Sequence, residues 1–237
     1  MRNILAVFLV LGLLWFMLPS AVRADITVGS FQSDNCEPFA CAAGLGVTAY
    51  QQVYGSSAFT GVTSFNQIAF LLAIGGALDS GTYDISFSYT SGAVNGLSVV
   101  SPSANIGAGE TSFGSFTLTG GAAPSTLTFT GNTFTYNPTL GNLLMTIVIS
   151  GASDGSLVAF YQADDSGTVT SRASFDVLPS ADSTALVTNF SEVAVATPEP
   201  GSLLLLGAGL LGLRLRLRRR IREHPYSFST KVDRSWR

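Results

Sequence analysis

The sequence predicts an all-β body, a β-sandwich of jelly-roll type, on three observations. Short alternating segments recur between Gly-rich turns, an unbroken apolar run rich in β-branched residues covers 143–149, and helical spacing is confined to 64–77. No period of about 20 to 50 residues marks a solenoid or propeller.

Taken in order, the chain begins with an export signal. Met1-Arg2-Asn3 is a positive start, residues 4–18 are apolar throughout, and Val22-Arg23-Ala24 offers a small-residue site after Pro19. Residues 1–24 therefore read as a signal peptide cut after Ala24. An uncleaved N-terminal anchor is the alternative, because the apolar stretch approaches spanning length. The body then runs over 25–196, enough for one domain with a real core. Its two cysteines, Cys36 and Cys41, are expected to pair in an oxidising compartment. Zinc would need further His or Cys ligands that the body lacks, and the spacing is not that of a Cys-x-x-Cys redox motif.

Residues 47–53 form a weak strand candidate. The stretch 64–77 is the one helix candidate, with Phe65, Ile68, Ala69, Leu72 and Ala73 at helical spacing. In 82–89, Tyr83, Ile85, Phe87 and Tyr89 alternate with Asp84, Ser86 and Ser88, the pattern of a half-buried strand. A second weak strand falls at 94–100. Phe116 with Leu118, Leu127 with Phe129, and Phe134 with Tyr136 repeat the alternation. Gly120-Gly121, Gly131-Asn132 and Asn137-Pro138 divide these pieces, which implies antiparallel hairpins. Residues 143–149 suit a central strand covered on both faces. Strands at 157–161, 169–175 and 186–195 complete the body.

Charge narrows the function. Only Arg172 of the 12 Lys and Arg lies in the body, against 12 of the 15 Asp and Glu, so the body carries about −11 while the whole chain carries −3. Nucleic acid is thereby disfavoured as a partner, since it requires clustered cations. His224, the only histidine, lies beyond the C-terminal arginines, and the body has no lysine. Ser-His-Asp, Cys-His, Ser-Lys and Schiff-base chemistries cannot be assembled there. Carboxylate pairs acting on sugars are left, but acids at strand ends and in turns read as solvated. The expectation is no enzyme, no catalytic residue and no cofactor.

Calcium is the one cofactor alternative. Asp154-Gly155 and Asp164-Asp165-Ser166-Gly167 are oxygen-rich turns, yet aligning Gly167 with the glycine of a calcium loop leaves Gln162 and Ala173 at ligand positions. The EF-hand pattern is not met, and Asx turns are the simpler reading. Tyr50, Tyr54 and Tyr161 are the rings left free for stacking on sugars, whereas Tyr83, Phe87, Phe129 and Phe134 belong to the core. Asn189-Phe190-Ser191 fits a glycosylation sequon.

The C-terminal segment is the most specific feature. Thr197-Pro198-Glu199-Pro200-Gly201 is followed by an apolar run and then by Arg214, Arg216, Arg218, Arg219 and Arg220. A helix over residues 201–213 would extend about 20 Å, short of the ~30 Å hydrocarbon core. Leu215 and Leu217 lengthen it to 201–217 while the arginines snorkel and stop transfer on the cytoplasmic side. Pro198 and Pro200 keep the backbone outside extended and accessible.

This order of residues over 197–220 resembles the PEP-CTERM sorting signal of bacterial exported proteins. The resemblance implies recognition of Pro198, Glu199 and Pro200 by an exosortase-type membrane peptidase, removal of the tail, and delivery to the cell surface or an exopolysaccharide matrix. A plain single-pass anchor is the alternative. Residues 141–151 and Ser171-Arg172 also resemble terminal strands of PEP-CTERM substrates, more loosely. Residues 221–237 depart from the family's pattern as a polar extension without periodic apolar residues, expected to be disordered. The chain is thus expected to be an exported surface or matrix protein of structural or interaction type. A carbohydrate-binding module or glycan-active enzyme on a jelly-roll scaffold is the alternative, and adhesion through an uncharged edge strand is a third reading.

Overall fold

In the computed structural model, residues 25–155 and 157–193 are described. The strands are β1 (Asp25–Val28), β2 (Ser33–Asn35), β3 (Ala49–Tyr54), β4 (Thr63–Ile74), β5 (Ala77–Thr90), β6 (Thr111–Ala122) and β7 (Thr126–Tyr136). They continue with β8 (Asn142–Ser153), β9 (Phe160–Asp164), β10 (Thr170–Phe175), β11 (Ser180–Asp182), β12 (Ala185–Leu186) and β13 (Thr188–Glu192). A four-residue helix, α1 (Ala42–Leu45), follows the Cys36–Cys41 disulfide. All named strand pairs are antiparallel. One sheet runs β1-β13-β4-β9-β12, with β2 on β9 and β7 on β4; the other runs β11-β10-β3-β8-β5-β6.

The predicted all-β sandwich is observed. Between the sheets lies an aromatic core that includes Phe39, Tyr54, Phe65, Phe87, Phe129 and Phe190. Tyr83, Ile85 and Phe87 enter it from β5, and Phe129 and Phe134 enter from β7, as their alternation predicts. Strand β8 sits between β3 and β5 and is buried from Leu143 to Ile147, while Val148 is exposed. Cover on its outer face comes from the connection between β5 and β6. Leu97 and Ile106 of that connection pack with Ala49, Val53, Leu144, Ala173 and Phe175 in a second, smaller core.

Three local expectations are corrected. Residues 64–77 are not a helix: 63–74 form β4. A register shift opposite β13, where Phe65 and Gln67 face the adjacent residues Glu192 and Ser191, inserts an extra residue into β4. Before it Thr63 and Phe65 point inward, and after it Ile68 and Phe70 do. A single bulge thus turns a spacing of two into one of three and imitates a helix. Residues 94–100 are not a strand either. They belong to the covering connection, where the Asn105 side chain accepts from the Ser98 N–H at 2.7 Å and donates to its carbonyl at 2.8 Å.

The third correction concerns the hairpins. Gly131-Asn132 lies inside β7 and ends no strand, whereas Gly120-Gly121 sits at the end of β6, which stops at Ala122 before β7 begins at Thr126. Strands β6 and β7 do not pair with each other: β6 pairs with β5, and β7 crosses to β4 in the opposite sheet. Gly131 permits this crossing, because a Cβ there would collide with the Phe113 carbonyl oxygen. Asn137-Pro138 does divide strands, with Pro138 opening a short 3-10 turn before β8.

Among the described residues no helix is long and apolar enough to cross a membrane. The predicted signal peptide at 1–24, the membrane helix at 201–217 and the polar extension at 221–237 lie outside the described residues.

Candidate functional site

Arg172, the lone cation of the body, organises its most connected polar cluster. On β10 it stands between Gln52 of β3 and Asp182 of β11. Its Nε and Nη2 donate to the two carboxylate oxygens of Asp182, each at 2.9 Å, and Nη1 donates to Glu37. Glu37 lies inside the Cys36–Cys41 loop, so the guanidinium ties that loop and the β10–β11 hairpin to one sheet. Burial disfavours the Arg172 charge, but Tyr50, Asp182 and Glu37 together hold its guanidinium above the usual arginine value. Burial likewise pushes the Tyr50 phenol well above its ordinary value. Glu37 and Asp182 therefore converge on a shared cation, Asp182 through both carboxylate oxygens and Glu37 through Oε2, and the three form a structural clamp.

Two further carboxylates are buried, against the expectation of solvated acids. Asp79 of β5 accepts from the backbone N–H of Ala43 at 2.9 Å and of Gly155 at 3.3 Å. It caps α1, which has no side-chain cap of its own. Its parity matches Tyr83 and Ile85, so extending the β5 alternation backwards would have placed it inside. Asp164 accepts from the backbone N–H of Ser30 at 2.9 Å and of Ser166 at 2.8 Å, and from the Ser166 hydroxyl at 2.5 Å. Burial opposes its charge, yet these hydrogen bonds hold its carboxyl below the usual range.

A depressed folded value means that Asp164 contributes stability above the ordinary aspartate pKa, lost as pH falls through the folded value. Thermal melts between about pH 5 and 2 should show the wild type losing more stability than Asp164→Asn. Equal losses would remove Asp164 from the acid response. Among the described residues no three His, Cys, Asp or Glu side chains gather as metal ligands.

The adjacent amides Gln51 and Gln52 carry no motif and were missed by sequence reasoning. Gln52 donates to the Leu186 carbonyl at 2.7 Å and accepts from the Leu186 N–H at 3.0 Å, a side-chain bridge from β3 to β12 in the opposite sheet. Gln51 donates to the Pro102 carbonyl at 3.0 Å and accepts from Asn105 at 2.8 Å, pinning the covering connection. Only a buried strand with polar residues of both parities could have signalled them.

The rings proposed for sugar stacking are corrected as well. Tyr50, Tyr54 and Tyr161 are fully buried. Both faces of β3 are covered along its whole length, which explains the first two, and Tyr161 packs edge-on against Phe39. Phe31 is the exposed large aromatic among the described residues. Asn189 of the sequon is held within β13, paired with Thr27 of β1 and Ala69 of β4, and its Oδ1 is buried.

Strand β13 leads out of the sandwich. It is flanked by β1 and β4, and the Val193 N–H donates to the Ser64 carbonyl at 2.8 Å just beyond the strand. A family model for the PEP-CTERM protein-sorting motif matches residues 196–220.

The chain carries a PEP-CTERM sorting signal.

This signal marks an exported protein that an exosortase, a membrane protein, sorts to the cell surface. Pro198, Glu199 and Pro200, with Arg214, Arg216, Arg218, Arg219 and Arg220, all fall within the matched residues and outside the described ones. No curated protein and no solved structure matches the chain.

Proposed function

We propose that this PEP-CTERM protein is a non-catalytic structural or interaction component of the cell surface or of an exopolysaccharide matrix. Its tail serves as a membrane anchor over 201–217 until cleavage at Pro198-Glu199-Pro200. The observation that carries the reading is the match at 196–220, which begins only three residues after Val193, still hydrogen-bonded beside β4.

The body's chemistry supports a passive role. Its buried carboxylates engage a guanidinium or backbone N–H groups, and its candidate stacking rings are inside the core. The jelly-roll type is part of the proposal, supported by a chain that moves between the two antiparallel sheets at successive strands from β3 to β5 and from β6 to β10.

Replacing Pro198, Glu199 and Pro200 together by alanine tests the sorting step. Precursor should accumulate in the membrane fraction of cells that contain an exosortase, while wild-type protein leaves that fraction. Normal release of the triple variant would refute the assigned recognition residues.

A further inference from the structure

Phe39 enters the core from outside both sheets. It lies in the segment 36–41 between β2 and α1, closed by the Cys36–Cys41 disulfide. Its ring is 5.1 Å from Phe70 of β4, 5.2 Å from Phe129 of β7 and 6.1 Å from Tyr161 of β9. It is also 5.6 Å from Tyr83 of β5 in the opposite sheet. One side chain thus packs against both sheets, and strand pairing plays no part in delivering it.

The contacts that hold this segment are sparse. The Phe39 carbonyl accepts from the Asp79 N–H at 2.8 Å, and the Ala40 N–H donates to the Cys36 carbonyl at 2.9 Å within the loop. Glu37 accepts from Arg172 through Oε2, and its backbone N–H donates to the Asn35 side chain at 3.0 Å. Residues 37–40 are all buried, whereas Cys36 and Cys41 at the two ends are partly exposed. Ordering residues that belong to no strand or helix costs backbone entropy at each one. The disulfide lowers that cost, because it has already restricted the unfolded chain.

We infer that the Cys36–Cys41 bond is a redox gate on the interior. Closed, it seats residues 37–40 as a plug with Phe39 in the core and Glu37 on Arg172. Opened, it lets the plug leave and unseals the body at that end. Closing the gate moves two electrons and two protons from the two thiols to a disulfide donor, which departs as two thiols. A dithiol reductant reverses the exchange and becomes a cyclic disulfide.

The compartment sets the state of the gate. Cytoplasmic thiol pools keep such pairs reduced, and an exterior compartment lets them oxidise. The chain therefore stays open while it awaits transport and is sealed after export. Strand supply cannot provide this delay once synthesis ends, since β1, β13 and β4 are then all present to pair. The role in transport rests on the export reading, whereas the gate itself does not.

The test is limited digestion of the purified full chain with a glutamate-specific protease, before and after treatment with a dithiol reductant. Glu37 is buried and Glu110 exposed, so Glu110 serves as the internal reference. Reduction should speed cleavage at Glu37 about tenfold or more relative to Glu110 and lower the melting temperature by roughly 5–15 °C. Reoxidation should restore both. Cys36→Ser combined with Cys41→Ser should match the reduced wild type and ignore the reductant; if that variant does not fold, wild-type reduction decides alone. Unchanged resistance at Glu37 after reduction, even with a lower melting temperature, would overturn the gate. A reductant response in the double variant would overturn its assignment to this bond. In cells whose cytoplasm has been made oxidising, wild-type precursor should accumulate inside while the double variant is exported as before. Equal partition of the two chains would overturn the role in transport and leave the digestion result to judge the gate.

Discussion

Arg172→Ala should cost about 3–5 kcal/mol, the scale of breaking a buried ion pair from one side. The substitution leaves Glu37 and Asp182 facing each other without their shared cation. Glu37 cannot escape to water easily, because its side chain is only 10% exposed and belongs to the disulfide loop. In a body of this size the loss corresponds to a fall in melting temperature of roughly 6–20 °C. Adding Glu37→Gln to Arg172→Ala should restore part of it by removing a stranded charge. Calorimetry of the single and double variants decides the matter: no recovery would mean that Arg172 acts through packing of its stem alone.

Phe65→Ala should be comparably severe, about 3–5 kcal/mol for emptying a core aromatic site. Its ring lies 5.0 Å from Phe87, 5.8 Å from Phe134 and 4.8 Å from Phe190, so it joins both sheets. Leu71→Ala, at an exposed position of the same strand, should change stability by less than about 0.5 kcal/mol. The contrast tests the bulged strand directly. Chemical denaturation of both variants checks it, and similar losses at the two positions would contradict the observed register.

What was legible in the sequence depended on whether a physical signal stayed local. β5 and β8 were readable because alternation or an unbroken apolar run persists along each strand. β4 was not, because one bulge changed the phase of its inward residues and produced helical spacing. Gly131-Asn132 resembled a strand end, although Gly131 instead permits close approach of one sheet edge to the other. Strand partners were invisible for the same reason: hydrogen bonding between β7 and β4 leaves no mark on either segment.

The polar cluster was half legible. A census of charges isolated Arg172, but Glu37 and Asp182 come from distant parts of the chain and meet it only after folding. Gln51 and Gln52 gave no warning, since amides satisfy buried backbone groups without any characteristic spacing. By contrast, the sorting signal depends on the order of residues along the chain, from Pro198-Glu199-Pro200 to the arginines, and needs no tertiary structure to be recognised.

The most direct measurement of the sorting account is the intact mass of the wild-type protein from cells with and without an exosortase. With the peptidase, the mass should correspond to a chain that has lost the residues beyond the Pro198-Glu199-Pro200 region; without it, the mass should extend through Arg237. A tail retained equally in both would contradict cleavage at the sorting signal.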